Sequence, residues 1–288
     1  MRVLVTGAGG MLGQDVVRAA EAAGDVEVVA LARGDLDVSD ERDVARALAD
    51  EQFDAVINCA AWTDVDGAES DADGAYAVNA EGAANVANAA AQAGARLVHV
   101  STDYVFDGDR SSHEAAYVES DAPGPRSIYG ASKLAGEEAV AATEVELSYA
   151  IVRSSWLFGV SGRNFVATML ALGADRDEVT VVTDQVGCPT ATAHLAPALL
   201  QLARDPEAQG IFHVAAGGAP CSWHDLAAEA FRQAGIACRV LPCTTADMPR
   251  PAPRPAFSAL ASERDDAPQL PSWQEGLATY LAHRGIHA

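Results

Sequence analysis

Tyr129 and Lys133 are the residues whose types and spacing point most directly to chemistry. On a helix, positions i and i+4 share one face, so the phenol and the ammonium stand together. A free phenol titrates near about 10. A neighbouring positive charge favours the phenolate and lowers that value, making the group a usable proton donor or acceptor nearer neutrality. The arrangement suits carbonyl–alcohol interconversion: hydride reaches the carbonyl carbon while the phenol protonates the oxygen. Lys133 is the only lysine among 288 residues, in a chain with 19 Lys plus Arg. Ammonium and guanidinium differ in shape, hydration and acidity, so a lone lysine here suggests a task that arginine does badly. The bland alternative is chance, because Y-x-x-x-K spacing is common.

Two further stretches narrow the choice. Ser101-Thr102-Asp103 follows the apolar run Arg96 to Val100, which reads as a strand, and the Thr102 hydroxyl can bond the same substrate oxygen as the phenol. Near the start, Gly7-Ala8-Gly9-Gly10-Met11-Leu12-Gly13 follows the short strand-like run Arg2 to Thr6. A strand that feeds a helix through glycines turns backbone N–H groups and the positive helix end toward a pyrophosphate. The spacing is GxxGxxG, not GxGxxG, and a tight turn needs glycine on backbone grounds alone; its place after the first strand favours nucleotide binding.

The second strand ends at Ala32-Arg33, without an acid to accept from an adenosine ribose. Arg33 stands where an arginine pairs with a 2′-phosphate, which leans the cofactor to NADPH with NADH still possible; the alternative is a solvated surface arginine. Asp37 and Val38 are placed to meet the adenine. Ala60, Ala61, Trp62 and Thr63 follow the third strand, where small residues let a flat cofactor lie against the backbone.

These motifs need a scaffold that brings strand ends to one rim. Strands are expected at Arg2 to Thr6, Val26 to Ala32, Ala55 to Asn58, Arg96 to Val100 and Leu147 to Arg153. Helices are expected to about Ala23, from Ser39 or Asp40 to Asp50, and from Ala72 to Ala93. That alternation predicts an α/β, Rossmann-like doubly wound parallel sheet. Later segments read as a helix from Asn164, a strand at Val179 to Val182, a helix at Ala191 to Arg204, a strand at Ile211 to Val214 and a helix capped by Ser222. Residues 1–153 are expected to form the NADP-binding domain, with returning segments near 178–214. Residues 154–288 are expected to be mainly substrate-binding. The loop of roughly 25 residues before Tyr129 is long for a compact domain, and Ser111 to Arg126 is expected to cover a substrate.

The formal net charge of −22 opposes binding to phosphodiester backbones, so a nucleic-acid partner is not expected. Salt adaptation and genomic compositional bias both account for the excess acid. The five cysteines include no CxxC pair, no apolar run is long enough for a membrane span, and the N-terminus has no signal pattern. A reduced, cytoplasmic protein without membrane association is the expectation. The histidines show no HExxH or paired-ligand spacing, so no metal site is assigned.

The combined motifs resemble the dTDP-4-dehydrorhamnose reductases, extended short-chain dehydrogenase/reductases. The matching residues are Gly7-x-x-Gly10-x-x-Gly13, Ala60-Ala61-Trp62-Thr63-x-Val65-Asp66, Val78-Asn79-Ala80, Ser101 to Gly108 and Tyr129-Gly130-x-x-Lys133-Leu134-x-Gly136-Glu137. They continue with Arg153-x-Ser155-Trp156-x-Phe158-Gly159, Asn164-Phe165, Asp184-Gln185-x-Gly187-x-Pro189-Thr190 and Arg254-Pro255-x-x-Ser258-x-Leu260.

The resemblance implies reduction of a dTDP-4-keto-6-deoxysugar, with Tyr129 as proton donor, Lys133 on the nicotinamide ribose and Thr102 assisting. Asp103 and Trp156, with Asn164 and Arg254, would meet the sugar nucleotide. The glycine turn with Met11 and Leu12, together with Tyr129 and Lys133, would hold the cofactor. A monomer or homodimer is implied, and some relatives place Mg²⁺ at a dimer interface through carboxylates. Thr102 is followed by Asp103-Tyr104 and not by an Asp-Glu pair, which argues against a 4,6-dehydratase. A sugar-nucleotide 4-epimerase and a non-catalytic regulatory subunit of the same fold remain alternatives.

Overall fold

A computed structural model describes residues 1–49, 52–109, 115–143 and 146–286. Its centre is a six-stranded, all-parallel sheet. In chain order the first five strands are β1 (Arg2–Thr6), β2 (Glu27–Leu31), β3 (Ala55–Asn58), β4 (Arg96–Thr102) and β5 (Tyr149–Ser154). The spatial order is β2-β1-β3-β4-β5, and the strand Gly210–His213 pairs outside β5. Central strands buried on both faces read as continuous apolar runs, and Val3, Leu4, Val5, Val56, Ile57, Leu97 and Val98 are each 0% exposed. Helices cover both faces: Met11–Ala23 and Thr192–Arg204 pack on one side, Glu41–Ala49 and Gly82–Ala93 on the other. The order of strands reverses between β1 and β3, and the crevice at their carboxyl ends is where ligands of such sheets bind.

Several boundaries follow from local chemistry. The first helix stops at Gly24, whose φ of +74° suits a residue without Cβ. Asp40 caps the second helix by accepting from the amides of Arg42 and Asp43. That helix is described to Ala49; its expected end at Asp50 lies outside the described residues. The expected continuous helix from Ala72 to Ala93 is broken by a π-helical turn, Ala77–Glu81, between Ala72–Tyr76 and Gly82–Ala93. Alanine-rich periodicity carries no signal for an inserted residue, and such turns are frequent at functional sites.

The strand Glu178–Val182 does not return to the central sheet. It pairs in parallel with Arg239–Cys243, a strand with no counterpart in the sequence reading. Its alternating pattern reflects one face packed on the helix Trp223–Ala234, not burial inside the large sheet. Of the loop expected to cover substrate, residues 110–114 lie outside the described residues. Beyond them Tyr117 is pinned to the C-terminal segment: its amide donates to Ala259 at 2.8 Å and its carbonyl accepts from Ala261 at 2.9 Å. Its ring stacks on Phe106 at 4.2 Å. Among the described residues, no helix is long and apolar enough to cross a membrane.

Candidate active site

The glycine-rich turn lies against the end of β3. Gly7 has a φ of +63°, and a Cβ there would stand 2.6 Å from the Ala60 backbone nitrogen. Only glycine allows both the backbone conformation and the approach of the two strand ends. Gly10 begins the following helix without a side-chain cap, and the first helical turn carries no acid. The uncapped amides at Met11 to Gly13 therefore face an anion-binding position, which fits a pyrophosphate. Met11 also receives Asn164 Nδ2 at its sulfur, 3.8 Å away.

Arg33 is exposed on the turn after β2, and its charge helps hold the Asp37 carboxyl below its ordinary value, behind the hydrogen bonds from Ser39. Asp37 is thus already engaged by Ser39. Val38 is 5% exposed and packs into the helical core, with its carbonyl accepting from Asn85 at 3.0 Å. The Ala60–Thr63 segment is clamped by Asn79 in the π-helical turn. Asn79 Oδ1 accepts from the Trp62 amide at 2.8 Å, and its Nδ2 donates to the Trp62 carbonyl at 3.1 Å and to Ser132 Oγ at 2.9 Å. Ser132 stands between Tyr129 and Lys133 on the helix Ile128–Ala141, so one asparagine ties the Ala60–Thr63 segment to the helix that carries both residues.

That helix starts at Ser127, whose side chain caps it by accepting from the Gly130 amide at 3.1 Å. It carries Tyr129 to the carboxyl end of β4, where the Thr102 hydroxyl is near enough to act on the phenol. The Tyr104 ring meets Tyr129 edge-on at 5.5 Å. Burial pushes the Tyr129 phenol up to about 12, with Asp103 adding to the rise and Thr102 opposing it. The expected lowering of Tyr129 by Lys133 is thus not what this geometry produces. The Lys133 amine turns inward, donating to the Val100 carbonyl at 2.7 Å, and burial pulls it down to about 8, although Glu137 acts the other way. Desolvation wins over attraction in so enclosed a place, and a phenol held up remains a neutral donor.

Asp103 is 2% exposed. Its Oδ1 accepts from Thr102 at 3.1 Å, while Oδ2 meets no well-aligned donor, although the Ser258 hydroxyl is near enough to temper the shift. Burial raises its carboxyl to about 6. Beneath the site Glu137 and Arg153 form an ion pair at 2.6 Å, each side chain 3% exposed or less. Ser101 also donates to Glu137.

The residues expected to meet a sugar are reached from the second half of the chain. Trp156 follows β5 with a φ of +48°, the only non-glycine residue at positive φ among the described residues. Strain of this kind is held by surrounding contacts and clusters at functional sites. Here the indole stacks flat on Trp223, with centroids 3.6 Å apart and planes at 1°. Trp223 is in turn fixed by Gln185 through a 3.1 Å hydrogen bond.

Arg254 pairs with Asp66 at 2.9 Å, and the Ala252 amide donates to the same carboxylate at 3.1 Å. A pocket beside them, about 200 Å³, is lined by Tyr104, Phe106, Arg126 and Arg254 among others. Asn164 is a departure from expectation. Its Oδ1 caps the helix Phe165–Asp175 and its Nδ2 donates to the Gly159 carbonyl at 2.8 Å. Both ends of its amide serve the protein, and its link to Met11 puts it at the glycine turn.

Sequence reasoning passed over Asn58, Asn79, His99, Tyr104 and Trp223 as site residues. Asn79 and Tyr104 lay inside quoted motifs, while nothing local marks Trp223. Among the described residues, no group of three or more His, Cys, Asp or Glu side chains could hold a metal ion.

The family comparison agrees with this arrangement. A family model described as RmlD substrate binding domain matches residues 1–285. The dTDP-4-dehydrorhamnose reductase of Mycobacterium tuberculosis (strain ATCC 25618 / H37Rv) is 44% identical over 287 residues, 98% of this chain and 92% of that one. A probable dTDP-4,6-dihydroxy-2-methyloxan-3-one 4-ketoreductase of Streptomyces antibioticus is 42% identical, over 92% and 88% of the two chains. The crystal structure of dTDP-4-dehydrorhamnose reductase from Bacillus anthracis str. Ames, in complex with NADP, superposes with a TM-score of 0.92 at 39% identity, covering 98% and 99%. With a Rossmann-like sheet, a glycine turn and a Tyr129/Lys133 helix set at one crevice, the chain belongs to the dTDP-4-dehydrorhamnose reductase family.

Proposed function

We propose that this protein is an NADPH-dependent reductase of the 4-keto group of a dTDP-4-dehydro-6-deoxy-L-hexose, making dTDP-L-rhamnose or a related L-deoxysugar. The observation that carries the reading is the Tyr129 phenol and the Thr102 hydroxyl brought together at the sheet rim, beside a glycine turn fitted to a pyrophosphate. The NADP bound by the B. anthracis relative and the 4-ketoreductase name of the S. antibioticus relative support it.

Residues 1–153 carry the cofactor and 154–288 mainly the sugar nucleotide. The amides of Met11, Leu12 and Gly13 receive the pyrophosphate, Arg33 the 2′-phosphate, Asp37 and Val38 the adenine edge, and Ala60 to Thr63 the flat ring system. Bound NADPH supplies hydride to the carbonyl carbon. Tyr129, a neutral phenol, donates its proton to the carbonyl oxygen, and the Thr102 hydroxyl hydrogen-bonds that oxygen as charge develops. Lys133 holds the cofactor ribose. Asp103 accepts from sugar hydroxyls, Trp156 meets the deoxysugar, and Arg254 faces the diphosphate.

Incubation with dTDP-4-keto-6-deoxyglucose, a 3,5-epimerase and NADPH should oxidise the cofactor and yield one new dTDP-deoxysugar. No oxidation with any 4-keto sugar nucleotide would sink the proposal. Exchange of C4 epimers without net NADPH consumption would mark an epimerase instead. A stoichiometric enzyme partner together with no turnover would mark a regulatory subunit.

A further inference from the structure

Behind Lys133 lies a chain of buried polar groups that the mechanism above does not use. Thr6, Asn58 and His99 are 1%, 2% and 1% exposed. Asn58 Oδ1 accepts from Thr6 Oγ1 at 2.6 Å and from the Ala60 amide at 3.1 Å. A backbone N–H can only donate, so the orientation of this side-chain amide is fixed and its Nδ2 faces His99 Nδ1 at 3.1 Å. Nδ2 also only donates. Nδ1 must therefore accept, and the ring proton sits on Nε2. Nε2 lies 3.5 Å from Lys133 Nζ.

We propose that His99 is a positioning residue for Lys133: locked by Asn58 as the Nε2–H tautomer, it turns an N–H toward the lysine nitrogen and links that nitrogen to the Ala60 cofactor loop. The inference rests on the cofactor role given to Lys133 above. An ammonium and an imidazole N–H are both donors, so His99 opposes the charged lysine, whereas the neutral amine can accept from it. The other groups facing Lys133 are the Val100 carbonyl from β4, Glu137 from its own helix and Cys59 from the end of β3. Glu137 favours the ammonium but is shared with Arg153 of β5 and Ser101 of β4. His99 itself is held well below its ordinary value by burial and by the Lys133 charge, so it stays neutral and keeps its tautomer.

The single lysine makes the test clean. In cofactor-free protein labelled with ¹³C,¹⁵N-lysine and bearing no lysine in any tag, one side-chain signal reports Lys133. Its midpoint is expected near 8 in the wild type. In His99→Phe it should rise by about one pH unit, a roughly tenfold change in the ionisation constant. Loss of one imidazole ¹⁵N pattern in that variant also assigns His99. If His99→Phe does not fold, Asn58→Asp serves: its carboxylate accepts from Nδ1–H, leaves Nε2 bare toward Lys133, and should raise the midpoint while switching the tautomer. An Nδ1–H tautomer in the wild type, or a midpoint unmoved in the folded variants, overturns the proposal. Lys133→Met separates it from the mechanism. It should abolish NADPH binding in equilibrium titration, and retention of binding would remove the cofactor role while leaving the His99–Lys133 coupling intact.

Discussion

Glu137→Gln offers a direct measure of how the floor of the site is held. Arg153 Nε and Nη2 meet Glu137 at 3.0 and 2.6 Å, and the two side chains are 2% and 3% exposed. Glutamine keeps the shape but leaves a guanidinium in the core without its counter-charge; the nearest compensation is the Phe106 ring, 5.1 Å from its carbon, and His213, 3.5 Å away. Breaking one side of a buried pair costs about 3–5 kcal/mol, a large part of the roughly 5–15 kcal/mol that stabilises a typical domain.

The assay is urea unfolding followed by circular dichroism, where the midpoint should fall with an unchanged slope. Glu137→Leu combined with Arg153→Met should recover most of the loss, because a well-packed apolar pair removes both desolvation costs. A single-variant loss under about 1 kcal/mol, or a double variant that loses the sum of the singles, would refute the reasoning. The same substitution removes a charge that favours the Lys133 ammonium, so the lysine midpoint should move further down.

Other outcomes follow from the same geometry. Tyr129→Phe should lower kcat by roughly 10²–10⁴-fold with NADPH binding nearly unchanged by fluorescence titration, since it removes the donated proton and keeps the ring. Gly7→Ala forces a Cβ to 2.6 Å from the Ala60 nitrogen at a φ of +63°, so the purified variant should show weakened cofactor affinity and lowered Tm; unchanged values would mean that the turn relaxes freely. Trp223→Ala strips the ring that holds Trp156 flat and should raise KM for the sugar nucleotide by about 2- to 13-fold, from the roughly 0.5–1.5 kcal/mol of an aromatic pair, with KM for NADPH unmoved. Burial raises Asp103 from 3.8 to about 6, so the folded state binds the extra proton between those values, and this group's contribution to stability declines as pH rises through that window. An inflection near pH 6 in kcat/KM should therefore vanish in Asp103→Asn, and its persistence would assign it to another group.

Much of the scaffold is decided locally. The helix Met11–Ala23 begins after glycines and stops at Gly24, and β1 and β3 are short apolar runs, because caps, turns and burial on both faces act through neighbouring residues. Tyr129 and Lys133 were bound to share a helix face by spacing alone, and Thr102 to stand at a strand end by the apolar run before it. The π-helical turn at Ala77–Glu81 and the pairing of Glu178–Val182 with Arg239–Cys243 were not legible. Each depends on partners far along the chain that no local period records.

By itself, then, the sequence determined which groups are candidates for the chemistry and that they meet at one rim of a parallel sheet. Only the tertiary structure decided their electrical state and aim. Lys133 lowers no phenol in this geometry, because its amine is enclosed with the Val100 carbonyl and the His99 ring, and Tyr129 is raised by the same enclosure. Desolvation depends on everything packed around a group, and a spacing of four residues contains none of that information.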